Sequence, residues 1–113
     1  MSQQPEAAHE IIESLTRRFK PEQAGDTNMT VHFDISGDRG GQYTAKVADG
    51  QCTVEEGLNG EPDCVVKASD QNYEDIELGR TNAQMAVMMG KIKISDIGEM
   101  MKFINYFERL FEE

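Results

Sequence analysis

Tryptophan is absent from this chain, and cysteine and histidine occur only twice each. Cys52 and Cys64 have neither the spacing of a metal knuckle nor that of a CxxC redox pair. Both fall in strand-like, apolar contexts, so they are expected as small buried hydrophobes without a disulfide, in a reducing compartment. Cations are scarce as well: 11 Lys and Arg stand against 21 Asp and Glu, for a net charge of −10. That balance argues against a nucleic-acid partner, which needs Lys and Arg to replace counterions along the phosphates. It suits solubility. Long apolar runs are missing too, and nothing approaches the roughly 20 residues that span a bilayer. The amino terminus, MSQQPEAAHE, has neither the basic region nor the apolar core of a secretory signal. The final residues are no peroxisomal or retention address. A cytoplasmic location is the expectation.

The chemistry-bearing residues are equally thin. His9 has Glu13 four residues on, but one His and one Glu cannot close a tetrahedral metal site. His32 and Asp34 share the polar face of one strand, a pairing that can orient a base, yet no nucleophile stands beside them. Ser36 follows in a glycine-rich turn without a nucleophile-elbow pattern. The glycines form neither GxxxxGK[ST] nor a strand followed by GxGxxG. No catalytic residue, no metal and no cofactor is expected, and the chain reads as a non-enzyme.

What the chain does contain is a regular succession of elements, enough for one domain over residues 1–113 with a single core. Ala8, Ile11, Ile12, Leu15 and Phe19 form one apolar stripe, which predicts a helix over 6–19 that stops before Pro21. Residues 21–28 read as a loop. Met29, Val31, Phe33 and Ile35 then alternate with Thr30, His32 and Asp34, the pattern of a strand with one buried face. A second strand carries Tyr43, Ala45 and Val47. Asp49-Gly50 tolerates the positive φ values of a type I′ turn, which fixes a hairpin pairing Ala48 with Gln51, Val47 with Cys52 and Ala45 with Val54. Residues 55–63 are acidic and rich in turn formers, without the alternating oxygen ligands of a calcium loop. They read as a solvated turn. Residues 64–68 are apolar on both sides and are expected as a strand with neighbours on each side.

Ser69 or Asp70 caps a helix bearing Tyr73 and Ile76, and Gly79 ends it. Asn82 caps a short helix on which Met85, Met88 and Met89 share one side. Ile92 and Ile94 alternate with Lys91 and Lys93 in a short strand. Asp96 and Glu99 then open a long closing helix as a capping pair. Its apolar residues Ile97, Met100, Met101, Phe103, Ile104, Tyr106, Phe107, Leu110 and Phe111 sweep roughly 220° of arc. One packing face needs an apolar stripe only somewhat wider than about 100°. The surplus surface is expected to meet a ligand, a second chain or a membrane. Residues 82–111 also hold five of the seven Met, whose flexible side chains reshape around irregular ligands as readily as they fill cores.

The tract 63–101 resembles the sterol-carrier-protein-2-type (SCP2-like) lipid-binding family. The resemblance rests on Asp63-Cys64-Val65-Val66 leading to Ser69-Asp70, on Leu78-Gly79-Arg80, and on Asn82 through Met89. It continues through Gly90-Lys91-Ile92-Lys93-Ile94 to a helix with Met100-Met101-Lys102. The chain departs from the family pattern at Ser95-Asp96-Ile97-Gly98, where two residues come before the glycine. The resemblance implies an α/β (α+β) fold, a mainly antiparallel five-stranded sheet covered on one face by helices. It also implies an apolar tunnel between sheet and C-terminal helices that binds a sterol, fatty acid, acyl-CoA or other lipid. The expected lining is Phe33, with Met85, Met88 and Met89 on one wall and Met100, Phe103, Ile104 and Phe107 on the other. Transient membrane contact and a homodimer through the closing helix are the expected associations. The alternative is an accessory module that docks on a lipid-pathway enzyme.

Overall fold

The computed structural model describes residues 5–108 and residue 110. Three short helices come first: α1 (Ala8–Glu13), α2 (Leu15–Arg18) and α3 (Pro21–Ala24). Strands β1 (Met29–Ser36), β2 (Gly41–Ala48), β3 (Gln51–Glu56) and β4 (Cys64–Ser69) follow. Then come α4 (Asp70–Glu77), α5 (Ala83–Met88), β5 (Ile92–Ile94) and α6 (Ile97–Ile104). The strands form one sheet in the order β3-β2-β1-β4-β5. Every pairing is antiparallel except β1 with β4, which is parallel. This is the expected α+β architecture of a mainly antiparallel five-stranded sheet with helices.

The hairpin register follows the turn chemistry. Asp49 and Gly50 both have positive φ, +54° and +72°, and Ala48 pairs with Gln51, Val47 with Cys52 and Ala45 with Val54. That register carries one apolar face across the sheet. Val47, Ala45 and Tyr43 stand opposite Met29, Val31 and Phe33, and Cys64, Val66 and Ala68 opposite Val31, Phe33 and Ile35. Ile94 and Ile92 extend the same face opposite Val66 and Ala68. The helices pack on this face: α1 and α2 over β2 and β3, α4 over β1 and β4, α6 over β4. Its residues and those of α1 form a continuous buried cluster.

The helix expected over residues 6–19 is divided at Ser14 into α1 and α2. Side chains compete for its backbone there. The Ser14 hydroxyl donates to the Ile11 carbonyl at 2.6 Å, and the Arg18 guanidinium donates to the same carbonyl and to the Ser14 oxygen. Serine that bonds back to the preceding turn bends a helix. Pro21 likewise ends one element by starting another. It is the first residue of α3, where a missing N–H costs nothing, so the loop expected over residues 21–28 begins with a helical turn.

The largest departure is at the C-terminus. The closing helix ends at Ile104 instead of running on through Phe107, and Phe111 lies outside the described residues. The last turn tightens, with the Tyr106 amide donating to Phe103 O. The chain then lies against the first helices: the Lys20 amide donates to Tyr106 O, the Glu108 amide donates to Arg18 O, and Phe107 bridges to Phe19. No Gly or Pro marks the stop. Tertiary hydrogen bonds set it, and Tyr106 and Phe107 are buried beyond the helix rather than on its face. Much of the wide apolar arc is thereby absorbed into the core.

Candidate functional site

Five aromatic rings, in four contacting pairs, run between the sheet, α4, the C-terminal segment and Phe19. Phe33, on the central strand β1, lies 6.2 Å from Phe103 of α6 by ring centroids, and Phe103 lies 4.8 Å from Phe107. Phe107 continues to Phe19 at 5.6 Å, and Tyr73 of α4 stands edge-on to Phe33 at 6.0 Å. Such separations are those of offset and edge-to-face pairs that add to simple burial. The local sequence places these rings. Asp96 caps α6 by accepting from the Glu99 amide, and Ser69 caps α4 by accepting from the Asn72 amide. Each cap sets the phase at which Phe103 or Tyr73 turns down onto the sheet. Phe103 is the buried residue of α6, and Met100 packs half-buried beside it.

The structure therefore brings together Phe33, Met100, Phe103 and Phe107 among the residues expected to line a cavity. It does not bring the rest to them. Met85, Met88 and Met89 are 58%, 85% and 64% exposed, and Ile104 is 48% exposed. The two facing walls drawn from the sequence are not the arrangement of this structure. The three methionines do share one side of α5, but the opposite side, with buried Ala86 and half-buried Val87, packs towards β5. Lys91 donates its amide to Ala86 O, which holds the helix close to the edge strand, where small side chains fit best. Periodicity identifies which residues share a face, not which face turns inward.

A set of polar groups beneath the helices had no sequence signal of its own. Glu74 is 5% exposed, and its carboxylate accepts from the Ala8 amide at 3.0 Å and from Arg39 Nε at 2.7 Å. One turn on, burial pushes the Glu77 carboxyl above the ordinary carboxylate range, partly offset by the Arg18 guanidinium nearby. The Tyr73 hydroxyl is itself buried without a hydrogen-bond partner among the described residues, and its pKa is pushed well up by that burial. Burial likewise raises the Cys52 thiol to about 11, so it is protonated at neutral pH. Because the folded chain holds the Glu77 proton more tightly than the unfolded one, stability falls as pH rises from the ordinary carboxylate value to the raised one. Glu77→Gln imitates the protonated form. It is expected to raise Tm at about pH 7.5 and to leave it nearly unchanged at about pH 4. Thermal melts at both pH values check this, and a lowered Tm at the higher pH would contradict it.

On the opposite face of the sheet, the turn expected to be merely solvated has a second role. Its exposed residues fold back so that His32 and Thr44 are buried beneath them. His32 Nε2 lies 2.8 Å from Asn59 O, and Thr44 donates to Gly57 O while accepting from the Asn59 amide. The Asp34 carboxylate accepts from Gln42 Nε2 at 3.4 Å, and His32 bonds to a backbone carbonyl rather than to Asp34. An open depression of about 350 Å³ lies away from the aromatic run, lined by Glu13, Thr16, Tyr43, Val54 and Glu56. Two carboxylates on its rim do not suit an anionic or apolar ligand. Among the described residues no three His, Cys, Asp or Glu side chains converge as a metal ion requires. No helix among them is long and apolar enough to cross a membrane.

The model of the SCP-2 sterol transfer family matches residues 11–108. No curated protein matches the sequence. Among solved structures, the stereoselective inverting sec-alkylsulfatase Pisa1 from Pseudomonas sp. is similar at a TM-score of 0.75 and 19% identity, covering 91% of this chain and 16% of that one. The chain thus spans about one sixth of the alkylsulfatase. Sterol carrier protein 2 like 2 from Aedes aegypti is similar at a TM-score of 0.68 and 19% identity, covering 86% of this chain and 90% of that one. The palmitated form of the mosquito protein gives 0.62 and 18%, with 89% and 93% covered. At these identities the solved structures establish the shared fold.

Proposed function

The chain belongs to the SCP-2 sterol transfer family, and from that membership we propose that it binds a lipid and hands it on without catalysing a reaction. The observation that carries this reading is the aromatic run of Phe33, Phe103 and Phe107 between the sheet and α6, a helix with Phe103 as its buried residue. A helix anchored so narrowly serves as a lid. Lifting it exchanges the ring contacts of Phe103 for contacts to an acyl chain or sterol nucleus. Met100 lies beside the opening. Met85, Met88, Met89 and Ile104 close over the outer end of the ligand, their flexible side chains accommodating its shape.

Apolar lining is sufficient for affinity. Each buried methylene contributes about 0.8 kcal/mol, so a chain of about sixteen contributes on the order of 13 kcal/mol before ordering and association costs. Specificity is accordingly broad, over sterols, fatty acids, acyl-CoAs and other lipids. The palmitated mosquito relative supports an acyl chain as one such ligand. The hydrogen bond of His32 to a backbone carbonyl supports the absence of acid–base catalysis. Mass spectrometry of solvent extracts from the purified protein, with a fluorescent fatty-acid titration, tests the proposal. A copurifying lipid and saturable binding at micromolar concentration are expected. Repeatedly empty protein that also fails to take up the probe would count against it.

A further inference from the structure

Tyr73 is 2% exposed, and its hydroxyl has no hydrogen-bond partner among the described residues. Such a group destabilises the fold that buries it, because it gives up water and gains nothing in exchange. Phenylalanine would fill nearly the same volume without that penalty. Packing accounts for the ring, which stands edge-on to Phe33 at 6.0 Å. It does not account for the oxygen. Phe33 has Tyr73 of α4 as one aromatic neighbour and Phe103 of α6 as the other, so the hydroxyl stands where the aromatic run ends under α4. Glu77 lies four residues on, on the same side of that helix. It is half-buried and enters no ion pair among the described residues. The Arg18 charge reaches both groups. Its guanidinium is already committed to neutral acceptors: Ser14 Oγ at 2.8 Å, Glu108 O at 3.0 Å and Ile11 O at 3.0 Å. Burial, and after it the Glu77 charge, keeps the proton on the phenol. Tyr73 is therefore a donor in search of an acceptor, and Glu77 offers an acceptor beside it.

We propose that Tyr73 is a specificity-determining residue of the lipid site: its hydroxyl, with the Glu77 carboxyl, receives the hydroxyl end of a long-chain lipid alcohol whose tail runs under α6. This deepens the lipid-carrying reading and rests on it. A ligand hydroxyl accepts one hydrogen bond and donates another, so a single group answers Tyr73 and Glu77 together. A carboxylate accepts from Tyr73 but sets a second negative charge against Glu77, where burial already disfavours the first. A hydrocarbon leaves the phenol as it is. The apolar lining thus admits many lipids, and the two polar groups rank them by head group. They also fix the orientation, with the polar end at α4 and the tail along Phe33 and Phe103.

Displacement of a bound fluorescent fatty acid by hexadecanol, palmitate and hexadecane tests this on the intact wild type, Tyr73→Phe and Glu77→Gln, alongside thermal melts of the ligand-free proteins. Tyr73→Phe removes the orphaned oxygen and is expected to raise Tm by about 4 °C or more. The same variant is expected to bind hexadecanol about fivefold to tenfold more weakly while its affinity for hexadecane stays at the wild-type value. Opposite signs on stability and on alcohol affinity are what a purely structural hydroxyl would not give. Glu77→Gln keeps an acceptor and removes the charge, and is expected to bind palmitate at least about fivefold more tightly than wild type at about pH 7.5. Equal hexadecanol affinity in wild type and Tyr73→Phe would overturn the proposal. So would a lowered Tm for Tyr73→Phe, or a loss of hexadecanol and hexadecane alike, since the hydroxyl would then serve the packing of the chain itself. Wild type that takes up no fluorescent fatty acid would sink the carrier reading, and this assignment with it, whereas uptake without the alcohol-specific loss sinks the assignment alone.

Discussion

Replacing Phe103 by alanine is expected to lower the unfolding free energy by about 3–5 kcal/mol, the range for deleting a buried aromatic side chain. Phe103 is 2% exposed and touches Phe33 on the sheet and Phe107 beyond the helix. Removing it takes away the central ring of the run and the one buried side chain of α6. A small domain has only about 5–15 kcal/mol to lose, so the variant should be close to its stability limit at physiological temperature. The lid reading adds a second expectation. If the ring occupies space that a lipid tail enters, the alanine variant has that space open, and saturating fatty acid should raise its Tm by more than it raises that of wild type. Denaturant titrations with and without ligand measure both effects. A loss below about 1 kcal/mol, outside the range for a buried ring, would mean that α6 is not packed on the sheet as described.

Glu74→Leu is expected to cost about 3 kcal/mol for a different reason. The carboxylate joins three parts of the chain: α4, which carries it, the first turn of α1 through the Ala8 amide, and the β1–β2 connection through Arg39. Leucine leaves the buried Ala8 N–H without a partner, at about 1–3 kcal/mol, and removes the charge-assisted bond to Arg39. The Arg39 side chain is 47% exposed, so solvent screens the second contribution and the first dominates. Glu74→Gln keeps an acceptor for the amide and should lose only about half as much. Equal losses for the two variants, measured by denaturant titration, would show that charge and not amide satisfaction is what matters at this position.

The parts of the fold that were legible in the sequence are those governed by local chemistry. Asp49-Gly50 fixed a hairpin and its register, because a type I′ turn leaves no choice of pairing once two strands alternate. Ser69, Asn82 and Asp96 announced three helix starts, and each accepts the backbone N–H three residues on. The parts that were not legible are governed by distant partners. Ser14 breaks a continuous apolar stripe because its hydroxyl and Arg18 take the Ile11 carbonyl. The closing helix stops at Ile104 because residues 106–108 bond to residues 18–20. Nothing within either segment signals this. Glu74 reads as one more surface acid until Arg39 and the Ala8 amide are brought to it.

The candidate site divides along the same line. Phe33 and Phe103 turn towards the core because strand alternation and the Asp96 cap set their phase, whereas Phe107 reaches the core from beyond the end of α6. Tyr73 was read as inward-facing, yet its buried hydroxyl, without a partner among the described residues, could not be foreseen from spacing. Met85, Met88 and Met89 share a side as expected, but the side that packs is the small one, Ala86 and Val87. Hydropathy alone points the methionines inward. Close packing of Ala86 and Val87 on an edge strand points them out.

The measurement that bears most directly on a lipid held between sheet and α6 is a titration of isotopically labelled protein with a fatty acid, followed through amide and aromatic-ring resonances. Saturable shifts concentrated on the rings of Phe33, Phe103 and Phe107 and along the amides of α6 are the expected result, with β3 and the Asp49-Gly50 turn unmoved. Rings that stay unperturbed while only the exposed Met and Ile side chains respond would contradict it.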